Sequence, residues 1–283
     1  MNTDLAKNDL LRVMPENSSQ KYALVTGASK GLGKCFALEL AKRGINSILV
    51  ALPGDGASEV AGKCKEHGVA SVYFETDLVE KESILKLTNW VNQNYQLSML
   101  INNAGQGATH SFAESNLEMI NSLIQLNITS VSLLTHQLLP NLMSNKPSHI
   151  LNVSSMASFS PMGYKAVYSA TKRYIQHFSK ALEQELKSTG VSVSVVHPGP
   201  MKTNTDVIKR ISHHKFFGKF GLLEPEYVAS ESIRRMLNGN STILIGFASK
   251  VNWFLLTQIP SSIRLPLIAR SVRKEMESNN KTE

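Results

Sequence analysis

Short apolar runs alternate with helix-length stretches from residue 21 to about residue 246, and this alternation constrains the fold more than any other feature of the chain. The runs at 22–25, 47–51, 71–75, 99–102, 150–153, 191–197 and 242–245 are rich in Val, Ile, Leu or Tyr and bounded by turn residues, so they read as strands. The stretches at 33–43, 81–94, 114–142 and 168–187 have helical length. Strand–helix–strand order predicts a parallel sheet with helices on both faces. The expected architecture is α/β: a single doubly wound domain with a seven-stranded parallel sheet, spanning residues 21–250. A chain of 283 residues is long enough to give such a domain a sizeable core. Residues 1–20 are expected to form a flexible polar arm, and residues 251–283 an amphipathic tail.

The first strand runs into TGASKGLG, residues 26–33, and then into a helix. This is the place for a phosphate loop. One glycine allows the sharp turn, another lets the backbone approach a pyrophosphate, and the helix N-terminus offers unpaired N–H donors. Gly27, Gly31 and Gly33 are spaced GxxxGxG rather than GxGxxG. Further along stand Asn102-Asn103-Ala104-Gly105 after the fourth strand and Asn127 in LNITS. Tyr168 and Lys172 follow in YSATK, and Pro198-Gly199 after the sixth strand.

In these motifs, their order and their spacing, residues 21–246 resemble the short-chain dehydrogenase/reductase family. The resemblance implies a Rossmann fold, a nicotinamide cofactor and hydride transfer between a carbonyl and an alcohol. It implies a catalytic set of Asn127, Ser155, Tyr168 and Lys172. Tyr168 and Lys172 lie one helical turn apart and so share a face. An ammonium beside a phenol favours the phenolate, so the Tyr168 pKa is expected to fall below its usual ~10. Tyr168 would then act as general acid in reduction and general base in oxidation. Ser155 stands 13 residues before the tyrosine, as the family's serine does, and would stabilise a developing oxyanion. Its neighbour Ser154 points the other way along a strand. By the same resemblance Lys172 binds the nicotinamide ribose, and Asn127 holds a water that links Lys172 to solvent. A buried Asn127 that only ties two helices together is the alternative.

The cofactor-binding set that the resemblance implies is Gly27, Ser29, Lys30, Gly31, Leu32 and Gly33 in the first turn, and Asp77 at the adenine. It continues with Asn103, Ala104, Gly105, Tyr168, Lys172, Pro198 and Gly199, and Thr203 at the nicotinamide amide. After the second strand, the places where the family carries an acidic residue for NAD, or an arginine for NADP, hold Ala51 and Leu52. Lys30, just before Gly31, is where NADP-dependent relatives carry a cation toward the 2′-phosphate. NADP(H) is therefore favoured over NAD(H).

Residues 201–224 are long and irregular for a connection inside a compact domain, and read as a substrate loop. Its lysines and phenylalanines suit an amphiphilic carbonyl or alcohol substrate, hydrophobic or bearing an acyl chain. In the tail, Trp253–Leu256 and Ile263–Ile268 are apolar beside Arg264, Arg270, Arg273 and Lys274. The apolar runs are too short to span a bilayer. Peripheral contact with a membrane, packing on the substrate pocket and packing on a second subunit stay open. The net charge of +8 favours anionic partners, but no nucleic-acid motif accompanies it. The two cysteines, Cys35 and Cys64, and the eight histidines show no metal-binding spacing, so no metal is expected. The resemblance further implies a homo-oligomer, a dimer or tetramer, and the absence of a signal pattern suggests a cytoplasmic protein, membrane-associated if the tail engages lipid. A non-catalytic dinucleotide-binding sensor or scaffold of the same fold is the alternative function, and the complete catalytic set argues against it.

Overall fold

The computed structural model describes residues 20–201 and 222–279, with side chains to residue 274. Seven parallel strands make one sheet in the order β3-β2-β1-β4-β5-β6-β7. They are β1 (Lys21–Thr26), β2 (Asn46–Ala51), β3 (Ser71–Glu75), β4 (Gln96–Asn102), β5 (Ser148–Val153), β6 (Val191–Val196) and β7 (Thr242–Ile243). The helices are α1 (Gly31–Lys42), α2 (Ala57–Lys65), α3 (Lys81–Asn94), α4 (Leu117–Ile124), α5 (Ser130–Ser144), α6 (Ala166–Glu185), α7 (Pro225–Leu237), α8 (Phe247–Gln258) and α9 (Ser261–Asn279). This is the doubly wound architecture expected from the alternation.

The strands are apolar on both sides because helices cover both faces. Along β1, Ala23 and Val25 point into the cluster with Phe36 and Leu40 of α1 and Ile233 of α7. Tyr22 and Leu24 point into the opposite cluster with Leu87 and Val91 of α3 and Leu134 and Leu138 of α5. The period of two thus divides one strand between two cores.

The stretch of helical length over 114–142 is helical from 117 to 144. A short 3₁₀ turn precedes α4, and a π-helical turn over Gln125–Thr129 separates α4 from α5. Asn116 caps α4 by accepting from Met119 N at 2.7 Å. In the tail, Pro260 separates α8 from α9, whereas Pro266 lies inside α9 and does not end it.

A buried polar chain crosses the sheet. Asn102 Nδ2 donates to Thr135 Oγ1 (3.1 Å) and Asn152 Oδ1 (2.8 Å), and Asn152 Nδ2 donates to Ser179 Oγ (2.9 Å). The chain ties α5 to α6 through β4 and β5. Glycine is required where α1 meets the loop before it: a Cβ on Gly33 would lie 2.0 Å from Gly27 O and 2.5 Å from Asn103 Nδ2. Gly33→Ala is expected to cost more than about 3 kcal/mol of stability, the range of strained or overpacked sites. Urea unfolding of the two proteins checks it, and a loss below about 1 kcal/mol contradicts the close packing.

Candidate active site

The site begins where β1 and β4 end side by side. Thr26 Oγ1 accepts from Asn103 N (3.0 Å) and Ala104 N (2.9 Å). In return Asn103 Nδ2 donates to Thr26 O (2.9 Å) and Gly27 O (3.3 Å). Gly27 has φ +64, and a Cβ there would stand 3.0 Å from Ala104 Cα. The two motif loops are thus held in contact, and only glycine allows it.

A cavity of about 420 Å³ opens beside them, lined by Gly27, Ser29–Gly33, Asp55 and Asn103–Gly105. The first turn of α1 has no side-chain cap and no acidic residue, so its N–H donors are left for an anion. Glycine cradle, helix terminus and volume fit the pyrophosphate part of a dinucleotide.

Leu32, Asn103 and Gly105 also line a second space of about 210 Å³, with Ser154, Ser155, Tyr168, Lys172, Pro198 and Gly199 around it. The two spaces are contiguous through those shared residues. On the far side, Tyr168 borders a narrower pocket with His110, Tyr164 and the apolar Phe112, Met119, Ile120 and Leu123. Tyr164 stands at φ +62, a left-handed backbone uncommon for a bulky residue, and its carbonyl accepts from His110 N at 2.9 Å.

The two serines divide as strand geometry requires. Ser154 Oγ is buried and donates to Lys172 O at 2.8 Å. Ser155 hydrogen-bonds through its side chain with Tyr168, and also accepts from Ala157 N at 3.1 Å, capping a 3₁₀ turn. Lys172 Nζ is buried and donates to Val153 O at 3.1 Å. Burial pushes its pKa down to about 8, so the ammonium is charged at neutral pH. The expected depression of Tyr168 does not hold: burial pushes the phenol up, and the Ser155 hydrogen bond offsets only part of this. Desolvation outweighs any help from the lysine.

Asn127 is buried in the π turn. Its Oδ1 accepts from Gln106 N (3.0 Å), and its Nδ2 donates to Gln106 O (2.9 Å) and Thr171 Oγ1 (3.1 Å). Both side-chain groups are therefore engaged in tying the loop after β4 to α6. A Cβ on Gly105 would sit 3.0 Å from Asn127 Oδ1 and 3.2 Å from Lys172 Nζ, so both side chains converge on that glycine.

Two expected cofactor residues sit differently, and a third is outside the described residues. Lys30 is not a free cation: its Nζ pairs with Asp55 Oδ1 at 2.7 Å across the cradle mouth. Asp77 is exposed, and its Oδ1 accepts from Val79 N at 2.9 Å; it lines neither cavity. Thr203, with most of the substrate loop, lies outside the described residues.

One residue escaped the sequence reading. His197, just before Pro198, is fully buried. Its Nδ1 lies 3.0 Å from Ser158 Oγ and 3.3 Å from Ser155 O, and its ring packs 4.5 Å from Phe159. Its Nε2 has no partner among the described residues. A buried lone pair without a partner costs less than a buried N–H without one. The tautomer with the proton on Nδ1 is therefore favoured, and it donates toward the Ser155 carbonyl. The only sequence signal was its place beside the Pro-Gly motif.

Known proteins resemble this chain over most of its described length. The family model described as short chain dehydrogenase matches residues 21–214. The chain is 33% identical over 201 residues to the very-long-chain 3-oxoacyl-CoA reductase of Anas platyrhynchos; the match covers 69% of this chain and 64% of that relative's length. A structure of a 7β-hydroxysteroid dehydrogenase superimposes with a TM-score of 0.79 at 19% identity, covering 88% of this chain and 96% of that one. A short-chain dehydrogenase from Sphingobium yanoikuyae in complex with NADPH gives 0.72 at 24%, covering 86% and 97%. Other matched structures hold NADPH, NADP or NADH. The chain belongs to the short-chain dehydrogenase family. Curated relatives are named as reductases and oxidoreductases.

Burial, with smaller contributions from Lys180 and Arg173, pushes His197 down to about 4, although the bond to Ser155 opposes this. Between that value and the ordinary 6.5 the unfolded chain binds the extra proton. Stability is therefore complete above pH 6.5 and is lost as pH falls toward 4, by roughly 3 kcal/mol. His197→Phe is expected to lower stability at pH 7 and to flatten this part of the acid slope. Denaturant midpoints at pH 7 and 4.5 for both proteins check it; equal slopes contradict it.

Proposed function

We propose that this enzyme interconverts a ketone or aldehyde and its alcohol by hydride transfer, prefers NADP(H) over NAD(H), and takes a hydrophobic or acyl-chain-bearing substrate. The observation that carries the reading is the gathering of Ser155, Tyr168 and Lys172 on one space contiguous with a glycine-lined anion cradle. When bound, the nicotinamide supplies or accepts the hydride. The backbone of Gly27–Gly33, with Asn103–Gly105 and Pro198–Gly199, would hold it.

The chain's own groups handle the proton. In reduction Tyr168 Oη gives its proton to the substrate oxygen. Ser155 Oγ donates to that oxygen as negative charge grows on it. The phenolate left behind is costly in a buried site, and the Lys172 ammonium on the same helix face favours it. Asn127 acts as a positioning residue, fixing Thr171 and the loop at Gln106. Alcohol oxidation runs the same proton path backward.

Cofactor preference rests on charge. No carboxylate stands at Ala51 or Leu52 to repel a 2′-phosphate, and Lys30 offers an ammonium at the mouth of the cradle. Asp55 competes for that ammonium, so the preference is modest. The apolar lining beyond Tyr168 and the likeness to a 3-oxoacyl-CoA reductase support an acyl-chain substrate. We assign the α5–α6 face, where Tyr174 stacks on Phe178, to contact in a homo-oligomer, and the tail to contact with a membrane surface in the cytoplasm.

Thermal-shift titration with NADPH and NADH tests cofactor choice, because a ligand of the native state raises Tm with affinity. The larger shift is expected with NADPH. Lys30→Ala should weaken NADPH about fivefold, the scale of an exposed ion pair, and leave NADH unchanged. Asp55→Asn should tighten NADPH. An NADH preference, or no effect of Lys30→Ala, overturns the assignment.

A panel of apolar ketones and 3-oxoacyl thioesters tests the chemistry. Tyr168→Phe is expected to lower kcat by at least about 10² while the cofactor shift persists. Reduction should fall as pH rises through about 8, where Lys172 loses its charge. Cofactor binding without turnover of any carbonyl would indicate a sensor instead.

A further inference from the structure

The C-terminal helices present a surface that the active site does not use. Six of the fifteen exposed large hydrophobic residues among the described ones fall on α8 and α9. On α8, Phe247 and Phe254 are 75% and 57% exposed and stand two helical turns apart, on one face. On α9, Ile263 and Leu267, both 57% exposed, share a face with Arg270 and Lys274 further along. From Phe247 to Lys274 the sequence has five cations, Lys250, Arg264, Arg270, Arg273 and Lys274, and no acidic residue.

A groove of about 520 Å³ on α8 sets Lys250 beside Val251, Trp253 and Phe254; Arg235 also lines it but is paired with Glu231 Oε2 at 3.0 Å. Charge against an apolar wall is what a phospholipid headgroup and its first methylenes require. The same helices flank the loop that carries Ser155 and Tyr164. Trp253 meets Phe159 edge-on at 6.5 Å, and a Cβ on Gly163 would touch Ala269 Cβ at 3.3 Å.

Two occupants suit an exposed apolar face of this size: a second copy of the chain or a lipid surface. A two-fold contact through this face would set its cations against the same cations of the other copy. An anionic bilayer satisfies both the charge and the apolar groups. No helix among the described residues is long and apolar enough to cross a membrane, so the contact lies in the interface plane.

We propose that α8 and α9 form a docking surface for an anionic phospholipid bilayer, placed against the loop that carries Ser155 and Tyr164. The docking is independent of the hydride chemistry. Its consequence, that an apolar substrate enters from the bilayer, rests on the proposed function.

The test is flotation of the full-length protein with vesicles of phosphatidylcholine alone or phosphatidylcholine with phosphatidylserine, at low and high salt. Binding is expected only with phosphatidylserine and is expected to weaken at high salt. Phe247→Ser with Phe254→Ser should abolish it, and Arg270→Glu with Lys274→Glu should lower partitioning at least about tenfold. The NADPH thermal shift of each variant reports that the fold is kept. Light scattering of the same proteins reads oligomeric state. No flotation, equal flotation with both vesicles, or flotation untouched by the substitutions overturns the proposal. So does a change in oligomeric state in the Phe variant without any vesicle binding, which would give the face to a second copy.

Discussion

The hydroxyl of Thr26 holds the site open. By accepting from two successive backbone amides, Asn103 N and Ala104 N, it fastens the end of β1 to the loop after β4. These strands are neighbours in the sheet, yet the chain leaves β1 toward β2 and reaches β4 only after β3. At such a switch point the two loops part to opposite faces and leave a crevice. Without the threonine Ala104 N would lose this acceptor and Asn103 N would keep only Ile101 O at 3.1 Å, and the crevice floor would have no fixed width. Gly27 and Gly33 let the backbone lie as close as that fastening demands.

Burial sets the chemistry of the site more than charge does. It raises Tyr168, lowers Lys172 to about 8 and lowers His197 to about 4. Each shift disfavours the ionised form. A buried phenol that must pass through phenolate therefore needs help aimed at that state. Ser155 gives it directly by hydrogen bond, and the Lys172 ammonium is placed one turn along the same helix. The low pKa of His197 keeps its ring neutral above about pH 5, so a single tautomer can serve the Ser155 carbonyl throughout the neutral range.

The sheet was legible because its inner strands, buried on both faces, leave short apolar runs, and the phosphate loop because its glycines sit between a strand and a helix. The motif residues Ser155, Tyr168 and Lys172 were found through their resemblance to the family's motifs, and they line one space. What stayed hidden depends on contacts far apart in sequence. The π turn at Asn127 leaves no mark on a helical pattern, since apolar positions continue through it. The pairing of Lys30 with Asp55 joins the loops after β1 and β2, and no local rule foretells it. Tyr168 was expected low from its neighbour four residues away; the burial that raises it comes from the whole fold. Pro266 lies inside α9: a proline removes one amide bond and adds one close contact, and the burial of Val272 helps to hold α9 around it.

The aromatic line from Trp253 through Phe159 to His197 joins the C-terminal helices to the serine that faces Tyr168. Phe159 is buried between the two, so a shift of α8 cannot leave the ring where it is without opening a void beside His197. The His197 hydrogen bond to Ser155 O is long, at 3.3 Å, and a long bond is sensitive to small displacement of the ring. The surface that gathers exposed aromatics and cations is the same one that holds this line in place.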